Sequence, residues 1–378
     1  MRTNRINHIS LFTFQAAYHE SPESFMASIE NRFPAGSYEC IYLDNIPQKC
    51  VLVFCNETST LYIAFRGSKD LDDWLVNLDV KPCDFLSLGH LSKVHTGFFK
   101  RAESWINVII NKIDELEWEP KRMITTGHSL GAATSSIVHI LLVLMSQDEQ
   151  MKTLEYHNLG FATPLFGNLE LKKAILAHPD SRLRNMYHFV NCDDIVPAVS
   201  IIEDVYANLT NGVSFWANVA QSKFLRLKFY SLIVAEDQVE QLEVKVENLL
   251  SEVNERKNIR DPMFQNRGPE TYMPIGHYLF MKKKEFEFGQ SDLHVFEFEE
   301  SIEKSEHQWV GQILVKSLEI LGDLKVRRGF NKELTQKILS AHDLGNYFTQ
   351  VADCLTSGIF DQWKLATDLG APQQNGDS

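Results

Sequence analysis

The stretch Met123-Ile-Thr-Thr-Gly-His-Ser-Leu-Gly-Ala-Ala-Thr134 decides how the chain is read, because Gly127-His128-Ser129-Leu130-Gly131 fits the G-x-S-x-G pattern of a nucleophile elbow. A short β-branched run, Met123 to Thr126, precedes it, and the apolar, helix-favouring run Ala132 to Met145 follows it. Strand, tight turn and helix in that order put Ser129 at the tip of the turn. Glycines at 127 and 131 remove Cβ atoms where strand and helix approach each other. The Ser129 hydroxyl is then presented at a helix N-terminus, where backbone N–H groups and the dipole favour a developing oxyanion. Taken as five letters alone, the pattern also arises by chance in a Gly- and Ser-containing loop, and its flanks carry the assignment.

Working outward, residues 122–126, the elbow, the helix over 132–145 and strands over 156–162 and 184–190 alternate as βαβ units do, which predicts a largely parallel sheet. Upstream, Tyr38 to Leu43, Val51 to Cys55 and Leu61 to Phe65 are short β-rich runs separated by polar turns, an opening antiparallel meander. Before them, residues 6–33 read as two short helices packed on the edge of a larger body. Asp70 to Leu78 forms one short amphipathic helix, and a long one runs from Phe99 to about Leu116. Strands are expected over 278–281 and 294–298, then helices over 302–321 and 332–339. Between about 200 and 274 the strand signal lapses into an acidic helical insertion, in which Val239, Leu242, Val246, Leu249, Leu250 and Val253 share one helical face. The expected organisation is a single domain over 1–369 that includes the insertion, with a polar, disordered tail over 370–378.

A chain of 378 residues, 44% hydrophobic and 23% charged, is long enough for one large α/β domain. Its net charge of −13 lacks the clustered Lys and Arg that a nucleic-acid surface requires, so nucleic acid is not an expected partner. The first residues hold no apolar leader and no window is apolar enough to span a membrane, so a soluble, cytoplasmic protein is expected. Six dispersed cysteines form no C-x-x-C pair, and neither a metal site nor a disulfide framework is indicated. No cofactor is expected.

A nucleophilic serine needs a base and an orienting acid, which follow an elbow of this kind in the order acid, then histidine. The acid lies in His188-Phe-Val-Asn-Cys-Asp-Asp-Ile-Val-Pro197, where Asp193 and Asp194 both leave a strand, and one of the two serves as a turn cap. For the base, His342 in Ser340-Ala-His-Asp-Leu-Gly-Asn-Tyr347 occupies a loop-to-helix position and is favoured over His277, which enters a strand. His294 and His307 fall inside regular elements. For the oxyanion hole, one donor is the Leu130 backbone N–H, and the other comes from the turn Arg66-Gly67-Ser68, where Ser68 adds its hydroxyl.

Six blocks now stand in order: Ile63-Ala-Phe-Arg-Gly-Ser68, Asp73-Trp-Leu-Val-Asn-Leu78, Val94-His-Thr-Gly-Phe98, Gly127 to Gly131, Phe161-Ala-Thr-Pro-Leu-Phe-Gly-Asn168 and Asp194-Ile-Val-Pro197. Together they resemble the class 3 lipase family, the fungal triacylglycerol lipase type of α/β-hydrolase. The resemblance implies an α/β-hydrolase fold with a mostly parallel central sheet flanked by helices. It selects Asp194 over Asp193, places the second oxyanion donor at Ser68 and makes Asp70 to Leu78 a lid or its hinge. It also implies a lipid or small-ester substrate, reached through transient contact with a membrane or lipid-droplet surface. The long interval from Asp194 to His342, with Tyr272-Met-Pro-Ile-Gly-His-Tyr-Leu-Phe280 between them, is more similar to the lipase-like half of plant immune regulators of the enhanced-disease-susceptibility type. That likeness implies a second reading, a binding or signalling module working through the insertion over Glu203 to Asp261.

Overall fold

The computed structural model describes residues 16–29, 37–43, 49–67, 82–116, 118–146, 153–191, 194, 196–198, 272–283, 291–296, 340, 342, 343, 347 and 350. The expected lid at 70–78, residues 200–271 of the helical insertion expected over about 200–274, the helices over 302–339 and the tail lie outside them, as does Ser68; the insertion's last residues, Tyr272–Met273, form a strand and not a helix.

A short 3-10 turn, Ala16–Tyr18, and helix α1, Pro22–Ile29, open the chain. They are followed by β1 (Tyr38–Leu43), β2 (Cys50–Cys55) and β3 (Thr60–Phe65), which pair antiparallel in sequence order as the alternating turns imply. Every residue of β2 and β3 is buried, so these are apolar runs covered on both faces rather than half-solvated strands. Strands β4 (Pro82–Asp84) and β5 (Lys93–His95) lead into helix α2, Thr96–Glu115. Strand β6 (Arg122–His128) runs through the elbow into helix α3 (Leu130–Met145), and β7 (Glu155–Phe161) lies beside β6. Strand β8 (Gly167–Asn168), helix α4 (Leu169–Ala177), β9 (Met186–Asn191), β10 (Tyr272–Met273), β11 (His277–Lys283) and β12 (Ser291–Phe296) complete the order.

The main sheet has the order β1-β2-β3-β6-β7-β9-β11-β12. Its five central strands, from β3 to β11, are parallel, and β1, β2 and β12 run antiparallel at the two sides. Two apolar cores cover its faces. One joins α2, α3 and α4 to the sheet through residues such as Trp105, Ile109, Ile137 and Ile175; the other gathers Ala17, Phe25, Tyr62, Phe189 and Tyr347 on the opposite side. Helix α3 is buried almost all round, as its mostly apolar composition requires. Polar groups beneath it are satisfied by Asn158, whose amide meets the Ser135 and Ser136 hydroxyls and Thr125.

A second sheet, ordered β10-β8-β5-β4, is absent from the sequence reading, because strands of two or three residues carry no detectable period. Asn168 fixes it: its Oδ1 accepts from the Lys93 and Leu171 amides, capping α4, while its Nδ2 donates to the Leu91 carbonyl. Helix α2 likewise starts earlier than expected, at Thr96 rather than Phe99. The His95 Nδ1 accepts from the Gly97 and Phe98 amides at 3.1 and 3.4 Å, an N-cap made by an imidazole instead of a hydroxyl or carboxylate.

Candidate active site

The end of β6 delivers Ser129 with φ 58° and ψ −127°, a region that costs a non-glycine residue roughly 1–3 kcal/mol. Close contacts hold that geometry. A Cβ on Gly127 would come 2.4 Å from the Gly131 carbonyl carbon, and one on Gly131 would come 2.3 Å from the Phe65 carbonyl oxygen. Backbone touches backbone at both places, so strand β3, strand β6 and the first turn of α3 fit only with glycine there. The Ser129 N–H donates to the Phe161 carbonyl at 2.8 Å, and its own carbonyl accepts from the Ala132 amide at 2.9 Å. Leu130 is the first residue of α3, so its N–H is among those that helical bonding leaves without an internal partner.

Asp194 lies just beyond the end of β9, its backbone tied back to Asn191. One carboxylate oxygen, Oδ1, accepts from the Val196 amide at 2.9 Å; the other, Oδ2, accepts from His342 Nδ1 at 2.8 Å and from the Tyr347 hydroxyl at 2.5 Å. Both members of the Asp194–His342 pair are buried, across 148 residues of chain. With Nδ1 as the donor, the imidazole tautomer is set by the acid. The His342 ring packs 4.8 Å from the ring of His128, the residue before Ser129, which brings the acid–imidazole pair to the elbow.

Tyr347 went unnoticed in the sequence. Fully buried, its hydroxyl also accepts from the Asn191 amide at 3.0 Å, so it ties the end of β9 to the turn that carries His342. No motif marks it. A tyrosine five residues after the candidate histidine was the available signal.

The remaining candidates separate. His277 stands level with Thr126 through the ladder Tyr187 and Leu159, but three strand spacings away, roughly 14 Å. Its ring stacks on Tyr187 at 5.1 Å, so the structure does not bring it to Ser129. His294 pairs with Phe280 in β12 at the side of the sheet. Asp193 and His307 lie outside the described residues. For the oxyanion turn, Arg66 and Gly67 pack against Gly131 and the His128 carbonyl, and Ser68 follows beyond the described part. His128 is held neutral: burial pushes its pKa well below the ordinary imidazole value, and the nearby His342 adds to that shift. Among the described residues no cluster of metal-ligating side chains occurs.

Sheet order, elbow and flanking helices define an α/β-hydrolase fold. Residues 62–204 match the family described as Lipase (class 3), the one that the six sequence blocks resemble. LIH1 of Saccharomyces cerevisiae is 31% identical over 129 residues, covering 29% of this chain and 37% of that protein. Triacylglycerol lipase OBL1 of Arabidopsis thaliana is 27% identical over 184 residues, covering 37% of this chain and 34% of that protein. A solved structure of Rhizomucor miehei triacylglyceride lipase, 20% identical, covers 52% of this chain and 74% of that chain with a TM-score of 0.41. The chain spans about a third of the length of these curated relatives. The family match includes the elbow and Asp194 and ends well before His342, which only the fold brings to the same place.

Proposed function

We propose that the protein is a serine hydrolase of lipid carboxylic esters, acylglycerols or phospholipids. The observation that carries this reading is the buried Asp194–His342 bond, with the His342 ring against the residue that precedes Ser129. The Lipase (class 3) match and the relative named as a triacylglycerol lipase support the substrate class.

In the acylation step His342 takes the Ser129 hydroxyl proton as Oγ attacks the ester carbonyl carbon. The carbonyl electron pair moves onto oxygen, and the resulting anion is held by the Leu130 N–H and by the turn ending at Ser68. Collapse re-forms the carbonyl and breaks the bond to the alcohol, which leaves with the proton from His342. Water then repeats the sequence on the acyl-serine and releases the carboxylic acid. Asp194 stays ionised throughout, keeping the imidazole oriented and stabilising its charged form as it arises. Because such esters partition into membranes and droplets, the reading includes transient contact with a lipid surface.

Hydrolysis over a panel of p-nitrophenyl esters, acylglycerols and phospholipids, with Ser129→Ala as control, tests the reading. Turnover lost in Ser129→Ala is the expected result. A folded wild-type protein that cleaves none of the panel, or a Ser129→Ala variant as active as wild type, overturns it.

A further inference from the structure

We propose that Tyr18 is a positioning residue for the oxyanion turn: its hydroxyl, set between the Gly67 backbone and the His128 ring, keeps residues 66 and 67 seated against the nucleophile elbow. The proposal rests on the serine hydrolase reading above and extends it to a side chain 110 residues from His128, in the N-terminal 3-10 turn.

Gly67 sits at a junction of three parts of the chain. A Cβ there would come 2.7 Å from the His128 carbonyl oxygen and 2.9 Å from the Tyr18 hydroxyl. Next to it, the Phe65 carbonyl and Arg66 lie against Gly131 at the start of α3. Two of these contacts come from the elbow itself; the third comes from Tyr18. The Tyr18 oxygen lies against the Gly67 backbone, and the Tyr18 hydroxyl stands 3.4 Å from His128 Nδ1. Burial pushes the Tyr18 pKa up to about 12, so the group keeps its proton at neutral pH and has one O–H to give. His128 is neutral in its buried place, and its Nδ1 is therefore able to accept.

The proton order follows. Tyr18 O–H points to His128 Nδ1, and the remaining His128 proton sits on Nε2. That nitrogen is buried and makes no hydrogen bond. One phenol thus links the turn that should stabilise the oxyanion to the ring beside the candidate base. Ring packing alone does not require it, because phenylalanine would fill the same volume. A hydroxyl lying against Gly67 restrains the chain just before Ser68, and donors to an oxyanion lose most of their effect when displaced by about an ångström.

The test compares wild type, Tyr18→Phe and Tyr18→Leu by p-nitrophenyl butyrate hydrolysis, by the rate of fluorophosphonate labelling, by thermal unfolding and by imidazole ¹⁵N shifts, with His128→Gln to assign the His128 signals. Tyr18→Phe is expected to lower kcat and labelling rate about 10- to 100-fold with KM within about twofold. Its unfolding midpoint should stay at the wild-type value, whereas Tyr18→Leu should lower both activity and midpoint. In wild type the ¹⁵N shifts should report an Nε2–H tautomer with Nδ1 accepting, and Tyr18→Phe should lose the Nδ1 hydrogen-bond shift. Tyr18→Phe matching wild type in kcat, or activity falling only in step with the unfolding midpoint, overturns the proposal. Should wild type take no label, the hydrolase reading fails separately, and His128 shifts unchanged by Tyr18→Phe would still refute the placement of the hydroxyl.

Discussion

His342 and His188 are both buried and both hydrogen-bonded, yet their partners differ in kind. His188 stands level with Gly127, two strand spacings away through Gly160. Its Nε2 meets the Ile275 carbonyl at 2.8 Å and its Nδ1 meets the Thr163 hydroxyl at 3.0 Å. A carbonyl only accepts, so Nε2 carries the proton and Nδ1 takes the one that Thr163 offers. Neither nitrogen is left for chemistry. The slot is tight as well: a Cβ on Gly160 or on Gly276, the latter at φ 107°, would come 2.7 Å from an imidazole nitrogen. Burial pushes the His188 pKa to about 3. His342, in contrast, gives its Nδ1–H to a carboxylate that Tyr347 and the Val196 amide hold in place. A neutral clasp suits a brace between β9 and the segment before β11; an anion behind the ring suits a group that becomes cationic during a reaction.

The sharpest way to break this contrast is to remove each ring. His342→Ala should lower kcat/KM by about 10⁴- to 10⁶-fold, a loss far beyond its effect on the urea midpoint, where the orphaned Asp194 carboxylate costs about 1–3 kcal/mol. His188→Ala should cost about 2–4 kcal/mol in urea unfolding through a cavity and two orphaned partners, with the folded fraction still active. Equal activity losses in the two variants would erase the distinction.

Acid sharpens it further. His139, His157 and His188 have pKa values pushed down to about 4, 3 and 3, in each case chiefly by burial. The unfolded chain protonates these groups near pH 6.5 and the folded chain does not, so their effect on stability is nil above that pH. Below it the unfolded state binds more protons, and each group costs about 1.4 kcal/mol one pH unit lower. Urea midpoints measured from pH 7 to 5 should therefore fall steeply, and the fall should be shallower by about one proton in His188→Ala. An identical slope would place His188 in a site where it titrates normally.

The smallest expected effect belongs to Tyr347. Replacing it with Phe keeps the ring but removes the hydroxyl from Asp194 Oδ2 and orphans the Asn191 amide. A loss of about tenfold in kcat together with about 1–2 kcal/mol of stability is expected, since the pair loosens while one bond from His342 to Asp194 remains. Wild-type kcat in this variant would leave Tyr347 with a purely structural part.

Much of the fold was legible because long elements announce themselves. The β-rich runs of β1 to β3, the strand, turn and helix around Ser129, and the parallel alternation through β9 all correspond to strong periodic or compositional signals. Asp194 and His342 were nameable as residue types at the right kind of place, yet only three-dimensional folding shows them bonded. What could not be read were contacts that depend on distance in space. Tyr347 and Tyr18 belong to no motif, and the strands of the second sheet are too short to show a period. His95 stood in a quoted block, but its work as a helix cap follows from the backbone around Thr96, which no residue-type rule for imidazole anticipates.

Fluorophosphonate labelling followed by peptide mapping measures the central claim directly, since the probe reacts only with a serine made nucleophilic. The expected result is a single adduct on Ser129 in wild type and in His277→Ala, with none in His342→Ala over the same time. Labelling of Ser129 at the wild-type rate in His342→Ala, or an unlabelled Ser129 in the folded wild-type protein, would contradict the account.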